Sequence, residues 1–437
     1  VFSPSYSGNP LVNAMCVGVV DPKRLVKATT AKPGDLLMLV GAETGRDGIH
    51  GASGLASRTF EESRELRPTV QVGNPFLEKV LMEACLEIAG SEHIEGIQDL
   101  GAAGLATACA EAAAKGRTGF EVDVSRVPRR DEGLTPYEVI LSESQERMLV
   151  IVKDGHERQI KEVFDRWGLT STVIGKATGD GFARVLNGGR LEGELPVSIL
   201  ADPPQYRLQG TRPGWLDELQ SYDLKGLPLP AETPGEVLLR VLASPNVAGK
   251  ESVYRQYDHQ VQTNTVAGPG GDAAVLRIKG SSKGIALTTD GNGRYCHLDP
   301  YAGGTIAVAE ACRNLSSMGA EPIALTDCLN FGNPERTNVY YQLEECIKGI
   351  GLASKALGAP IISGNVSLYN ETRGEGIFPT PVIGALGLLD QVARHVTHGF
   401  QRPGDMVVLL GAREVRGDAD SLAGSEYLEL IHNLVAG

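Results

Sequence analysis

Several short segments place groups capable of chemistry where an apolar run meets glycine or a polar block. The first is Ile97-Gln98-Asp99-Leu100-Gly101-Ala102-Ala103-Gly104. An apolar stretch ends in Asp99, and glycines then open a helix. That spacing puts a carboxylate at a strand-to-helix corner, where a hard cation and phosphate oxygens are easily held. The same spacing also suits Asp99 as a plain helix N-cap. In Leu141-Ser142-Glu143-Ser144-Gln145-Glu146-Arg147-Met148 a compact polar block sits between two apolar runs. Glu143, Ser144 and Gln145 are three adjacent hydrogen-bonding groups that can grip a ribose or a phosphate, or merely form a loop at strand ends.

In Ile361-Ile362-Ser363-Gly364-Asn365-Val366-Ser367-Leu368 a short apolar strand runs into Gly-Asn. Gly364 lets a ligand approach the backbone, and Asn365 and Ser367 offer neutral oxygens. A simple turn has the same composition. In Leu325-Thr326-Asp327-Cys328-Leu329-Asn330-Phe331-Gly332-Asn333 an Asp again ends an apolar strand, as a ligand group or as the start of an Asx-turn. Thr44-Gly45-Arg46-Asp47-Gly48-Ile49-His50-Gly51-Ala52-Ser53 can form an anion-binding loop or a tight surface loop. His50 alone does not mark a catalytic site.

The absent motifs narrow the chemistry. No GxxxxGK[ST] phosphate loop, no GxGxxG on a strand–helix corner and no GxSxG or HExxH occurs, so any ATP site is of another type. The seven cysteines form no CxxC and mostly lie in apolar runs, as reduced core residues do. The formal charge is 41 − 54 = −13, without a long Lys/Arg cluster, which argues against nucleic-acid or anionic-membrane partners. No stretch of about 18 apolar residues is present to span a membrane.

The elements that must position these groups read as α/β. Strands are expected at Leu36–Val40 and Met148–Val152. A helix should start with Asn74 as N-cap and Pro75 at its first position, with Leu77, Val80, Leu81, Ala84, Cys85 and Ile88 on one face. A second, Ala-rich helix should run from Ala103 to Lys115. A third, Thr305 to Met318, is apolar nearly all round and should be buried. A fourth, Tyr340 to Leu357, places Leu343, Ile347, Ile350 and Leu357 on one face. Residues 1–22 read as a strand-rich tail, 23–205 as one α/β domain, 206–256 as a Pro-rich connector, and 257–393 as a second α/β domain.

One repeat organises the chain. Gly18-Val19-Val20-Asp21 recurs as Gly387-Leu388-Leu389-Asp390, an offset of 387 − 18 = 369. Pro33-Gly34-Asp35-Leu36-Leu37-Met38-Leu39-Val40-Gly41-Ala42 recurs as Pro403-Gly404-Asp405-Met406-Val407-Val408-Leu409-Leu410-Gly411-Ala412, an offset of 403 − 33 = 370. The chain thus spans little more than one period of a duplicated unit, and residues 394–437 begin a second copy of the 23–205 type. It opens at Val1 without Met and closes in an apolar pattern, Tyr427 to Val435; both ends are expected to cut through a folded unit.

Taken together, Gly45 to Ser53, Gln71-Val72-Gly73-Asn74-Pro75, Gln98-Asp99-Leu100-Gly101, Ser142 to Met148, Gln256-Tyr257-Asp258-His259 and Ser363-Gly364-Asn365-Val366-Ser367-Leu368-Tyr369-Asn370 resemble the ATP-dependent synthetase subunit (small type) of phosphoribosylformylglycinamidine synthase. The resemblance covers essentially the whole chain. It implies an α/β (α+β) fold of duplicated A-type and B-type domains, like the aminoimidazole ribonucleotide synthetase superfamily. On that plan 1–22 ends a first A-type domain, 23–205 is a B-type domain, 257–393 is a second A-type domain and 394–437 starts a truncated B-type domain.

The implied activity is a cytoplasmic purine-biosynthesis ligase. It converts formylglycinamide ribonucleotide, ATP and glutamine-derived ammonia to formylglycinamidine ribonucleotide, ADP and phosphate, with Mg2+. A glutaminase subunit and a small bridging subunit are the implied partners. By position, Gln71, Glu143, Ser144, Gln145 and Ser367 match substrate-binding residues. Asp327 and Gly364 match ATP contacts, and Asp99 and Asn365 match magnesium ligands. The catalytic histidines belong to the first A-type domain, so no catalytic residue is expected among these 437, and the chain alone should be inactive. Unduplicated relatives such as thiamine-monophosphate kinase or selenophosphate synthetase lack the repeat. A non-catalytic nucleotide-binding scaffold of the same superfamily is the alternative from another class.

Overall fold

Leu36–Gly41 is a five-residue apolar run closed by glycine, and it forms β1, an interior strand of a seven-stranded sheet. The computed structural model describes residues 1–30, 32–49, 71–411 and 418–437. They divide into two compact units, one of Val17–Arg207 and one of Val1–Cys16 with Leu208–Gly437.

In the first unit β1 lies antiparallel between β4 (Arg147–Val152) and β5 (Thr170–Thr178). The full strand order is β2-β4-β1-β5-β3-β6-β7, with β2 at Ile94–Asp99, β3 at Gly119–Asp123, β6 at Phe182–Asn187 and β7 at Arg190–Pro196. Alternate β1 side chains enter opposite cores, which explains a continuous rather than alternating apolar run. Leu37 and Leu39 pack with Leu105, Ala108, Cys109, Ala112 and Ala113 of α2 (Gly104–Gly116). Met38 and Val40 pack with Leu81, Ala84 and Ile88 of α1 (Pro75–Ile88), and with Ile160 and Phe164 of α4 (Glu157–Arg166). A short α3 spans Pro136–Leu141. Helix α1 starts as expected: the Asn74 side chain accepts from the Leu77 N–H at 3.1 Å, and Pro75 follows. Asp99, in contrast, does not cap α2. It is the last residue of β2, and Ala103 occupies the cap position in a left-handed conformation without a side-chain bond.

The second unit holds a six-stranded sheet of order β12-β11-β15-β10-β9-β8. Its strands are β8 (Thr265–Ala267), β9 (Ala274–Arg277), β10 (Gly284–Asp290), β11 (Glu321–Asn330), β12 (Ile361–Ser367) and β15 (Thr380–Leu389); β13 (Glu371–Thr372) and β14 (Glu375–Gly376) form a separate small hairpin. β11 and β12 are parallel, and β12 is the edge. The helix expected at Thr305 begins earlier, at Pro300, because Asp299 caps it by accepting from the Ala302 N–H at 2.9 Å. It buries one face (Ala307, Val308, Ala311, Cys312, Leu315) and leaves Ile306 and Arg313 exposed, so it is not enclosed all round.

The Thr337–Leu357 helix packs on it through Val339, Cys346, Gly349, Ile350 and Ala353. Ile347 and Leu357, expected on the buried face, are exposed. The small residues of that helix let the two backbones approach, and this set the inward face more than side-chain size did. Within 206–256, Leu216 and Leu224 are buried while Leu229, Leu238, Leu239 and Leu242 are exposed. Here Trp215 stacks on His297 (4.8 Å), which stacks on Phe378 (4.2 Å). Burial pulls the His297 imidazole down to about 4, so it is neutral near pH 7.

The repeated segment behaves differently in its two copies. Met406–Leu410 forms no ladder among the described residues, and its side chains are exposed. All seven cysteines are free thiols, but Cys16 is exposed rather than in a core. No helix among the described residues is long and apolar enough to cross a membrane.

Candidate functional sites

A cleft of about 450 Å3 opens in the first unit at the carboxyl end of β2. Leu81, Met82, Cys85 and Leu86 of α1 make its apolar wall, and Asp99, Gln145, Glu146 and Arg147 supply polar groups. Asp99 pairs with Met148 across the β2–β4 ladder, which brings the polar block of residues 142–147 beside it. Its carboxylate Oδ1 accepts from Gln98 Nε2 at 2.9 Å.

The 142–147 loop is buried and densely bonded. Glu143, 5% exposed, accepts from Gln71 Nε2 at 2.7 Å and from the Ala103 N–H at 2.9 Å. Ala103 and Gly104 both have positive φ at the start of α2, and the Glu143 carboxylate sits at this positive helix end. The Glu143 N–H donates to the Asp47 carbonyl at 2.8 Å. Ser144 Oγ donates to the Asp47 carboxylate and accepts from the Gly45 N–H at 2.9 Å. Gln145 Nε2 donates to the Glu143 carbonyl at 3.1 Å. Beneath them, Arg147 donates to the carbonyls of Ser144 (2.8 Å) and Ser142 (2.5 Å) and to Thr44 Oγ1 (2.9 Å). Burial pulls its guanidinium down to about 10.

The Thr44–Ser53 loop uses its charges internally, over its described part. Asp47 receives two bonds from Arg130, at 2.8 and 2.9 Å. Arg46 pairs with Glu138 at 2.7 Å and pulls that carboxyl down to about 2. Neither charge is left for a free anion; the loop is a frame for Ser144. His50 and residues 51–53 lie outside the described residues.

A second cleft, of about 350 Å3, lies in the other unit against β11 and β12. Asp327, Gly364 and Asn365 line it with Thr289, Thr326, Ser363 and Cys16. Asp327 does not end its strand, and Gly364-Asn365 is not a turn. β11 continues to Asn330 and β12 to Ser367, with Asp327 opposite Gly364 and Cys328 opposite Asn365. The parallel ladder overrides the local turn preference of Asp, Gly and Asn. Burial raises the Asp327 carboxyl above its usual value. A Cβ on Gly364 would stand 2.2 Å from Asp327 Oδ1, so any side chain there must push that carboxylate aside. Asn365 Nδ2 donates toward Cys328 Sγ at 3.5 Å. Ser367 lies past this cleft and accepts from Asn370 Nδ2 at 3.1 Å.

The residues marked from sequence therefore gather in two sets: Gln71, Asp99, Glu143, Ser144 and Gln145 in one unit, and Asp327, Gly364, Asn365 and Ser367 in the other. Sequence reasoning passed over Gln98, Asp47, Arg130 and Arg147. The first, second and fourth sit inside quoted motifs, whereas nothing local to Arg130 marks it.

Known proteins fit this arrangement. Residues 32–186 match the AIR synthase related protein C-terminal domain, and residues 270–389 its N-terminal domain. The whole chain is 53% identical to phosphoribosylformylglycinamidine synthase subunit PurL of Moorella thermoacetica and 51% identical to that of Caldanaerobacter subterraneus subsp. tengcongensis, covering 59% of each. T. maritima PurL complexed with FGAR matches over 86% of this chain and 58% of that one, at 35% identity and a TM-score of 0.72. The same protein complexed with ATP matches over 86% and 57%, at 34% and 0.70. These domains define an AIR synthase related α/β protein. Within that class, the chain is similar over its whole length to the synthetase subunits of phosphoribosylformylglycinamidine synthase. It spans 59% of the length of the curated relatives it matches.

Proposed function

We propose that this chain is part of an ATP-dependent carbon–nitrogen ligase of purine biosynthesis. The observation that carries the reading is 53% identity over all 437 residues to a phosphoribosylformylglycinamidine synthase subunit. The γ-phosphoryl group of ATP moves to the amide oxygen of formylglycinamide ribonucleotide, giving ADP and an O-phosphorylated amide. Ammonia then adds to that carbon, the C–O bond breaks, and phosphate leaves with formylglycinamidine ribonucleotide as product. The ammonia comes from a glutaminase subunit, through a complex with a small bridging subunit, in the cytoplasm. On this plan residues 23–205 are a B-type domain, 257–393 an A-type domain, and 1–22 and 394–437 parts of two more, joined by the 206–256 connector.

Gln71, Glu143, Ser144, Gln145 and Ser367 hold the ribonucleotide. Glu143 and Ser144 are already fixed by bonds, which lowers the cost of ordering them on binding. Asp327 and Gly364 meet ATP, where the absence of a side chain at 364 lets a ligand reach the strand backbone. Asp99 in one unit and Asn365 in the other would each be a ligand to Mg2+, which would neutralise phosphate charge during transfer. Asp99 is exposed at its cleft and offers the hard carboxylate oxygen that such an ion takes. No group of three or more His, Cys, Asp or Glu able to hold a metal exists among the described residues. Mg2+ commonly takes one or two carboxylates and completes its shell with substrate phosphates and water.

The test uses the complete subunit that carries this sequence, with phosphate release measured against ATP, Mg2+, ammonium and formylglycinamide ribonucleotide. Release should require the ribonucleotide and fall at least about 100-fold in Asp99→Asn. Release without the ribonucleotide, or nucleotide binding with no turnover, would overturn the reading in favour of another activity or a scaffold.

A further inference from the structure

Gln98 stands one residue before Asp99 in β2 and is 7% exposed. A primary amide carries two N–H donors and an acceptor oxygen, and burial demands partners for them. Its Nε2 donates to Asp99 Oδ1 at 2.9 Å and to the Asp99 carbonyl at 3.3 Å. Its Oε1 is shut off from solvent and has no hydrogen-bond partner among the described residues. The opposite amide orientation would set that oxygen against the Asp99 carboxylate, so the present one is the favourable choice. Other partnerless buried side-chain oxygens, those of Ser171, Asn264 and Thr372, line neither cleft. Among the described residues only the Gln98 oxygen belongs to an amide already bonded to a cleft carboxylate.

We propose that Gln98 is the positioning residue of a divalent-cation site centred on Asp99, its amide N–H fixing the carboxylate and its Oε1 accepting from a cation-bound water. The inference rests on reading Asp99 as a cation ligand. With Oδ1 held by Gln98, the carboxylate offers Oδ2 as a single ligand, the mode that suits Mg2+ with retained waters. Oε1 is closed off from bulk solvent as it stands, so the water it accepts from must arrive with the cation. Outer partners of this kind fix ligand orientation, and removing them typically weakens metal affinity about 10- to 100-fold. A purely structural amide would instead satisfy both its ends within the protein.

The test is a Mn2+ titration of the complete subunit followed by electron paramagnetic resonance, with a non-hydrolysable ATP analogue at fixed saturating concentration. Water-proton relaxation of the bound ion is read alongside, because a merely structural role would not move it. In Gln98→Met one Mn2+ equivalent should bind about tenfold or more weakly, with altered water relaxation, while the melting temperature stays within a few degrees of the parent. If Gln98→Met does not fold, Gln98→Asn, which keeps the amide but withdraws it from Asp99, makes the same comparison. Unchanged affinity and relaxation in the Gln98 variant, with that equivalent lost in Asp99→Asn, would overturn the role of Gln98 alone. Full binding in Asp99→Asn would remove the cation reading and this inference with it.

Discussion

The two clefts carry similar side chains in opposite physical states. Beside Asp99, the polar groups of Ser142, Glu143, Ser144 and Arg147 are buried, and each has named partners. Against β12, the Ser363–Asn365 stretch lies on an exposed edge strand, and the described residues give Asp327 no side-chain hydrogen bond. The first cleft is rigid before any ligand arrives, because its loop is fixed by the same bonds that close the core under β1 and β4. The second relies on backbone access at Gly364 and on a carboxylate that burial disfavours in its charged form. A substitution in the first should therefore disturb fold and site together, whereas in the second the two should separate.

The sharpest way to break this contrast is Arg147→Met. It leaves two carbonyls and the Thr44 hydroxyl without their donor inside the sheet. The expected loss is about 3 kcal/mol, or a fall in melting temperature of about 10 °C for the transition of the Val17–Arg207 unit. Scanning calorimetry on the complete subunit reads it. A change under about 2 °C would mean that the loop holds itself without Arg147, and the first cleft would lose its claim to rigidity. Gly364→Ala comes next. Its methyl group must displace the Asp327 carboxylate, yet the strand is at a sheet edge and has room to shift. Nucleotide affinity by titration calorimetry should fall about tenfold, while stability changes by less than about 1 kcal/mol. Equal losses in both would make the two clefts alike.

Much of the scaffold was legible because its signals are local. Asn74-Pro75 is a cap and a helix start in any context, and the apolar run 36–40 needs only a strand buried on both faces. The inward face of the Thr337–Leu357 helix was misjudged because the partner helix approaches through small residues, so Cys346 and Gly349 face in while Ile347 does not. The second copy of the β1 pattern shows the same limit. Leu36–Gly41 is a strand because β4 and β5 flank it, and the described residues offer 406–410 no such neighbours. Of the candidate sites, residue types and positions at strand ends were visible. The supporting bonds from Asp47, Arg130 and Arg147 were not, since they join residues up to 103 apart in sequence. Likewise Asp327 and Gly364 face each other only through the parallel ladder.

The smallest expected effect concerns Asp327 and separates stability from binding most cleanly. Burial raises its carboxyl above the ordinary 3.8, so the folded unit holds this proton more tightly than the unfolded chain does. Between 3.8 and the raised folded value the native state binds more protons, and its stability falls as pH rises through that window. At pH 7 the penalty for an ionised Asp327 is fully present. Asn has nearly the same shape and no charge, so Asp327→Asn should leave the melting temperature at pH 7 unchanged or raise it by roughly 1–2 °C. The gain should shrink as the pH is lowered toward 4, where the parent takes up its proton. ATP affinity should fall in the same variant, measured by titration calorimetry. A gain in stability with a loss of binding identifies a carboxylate held for its ligand at the cost of the fold. A fall in melting temperature instead would give Asp327 a structural partner, and the second cleft would be as internally bonded as the first.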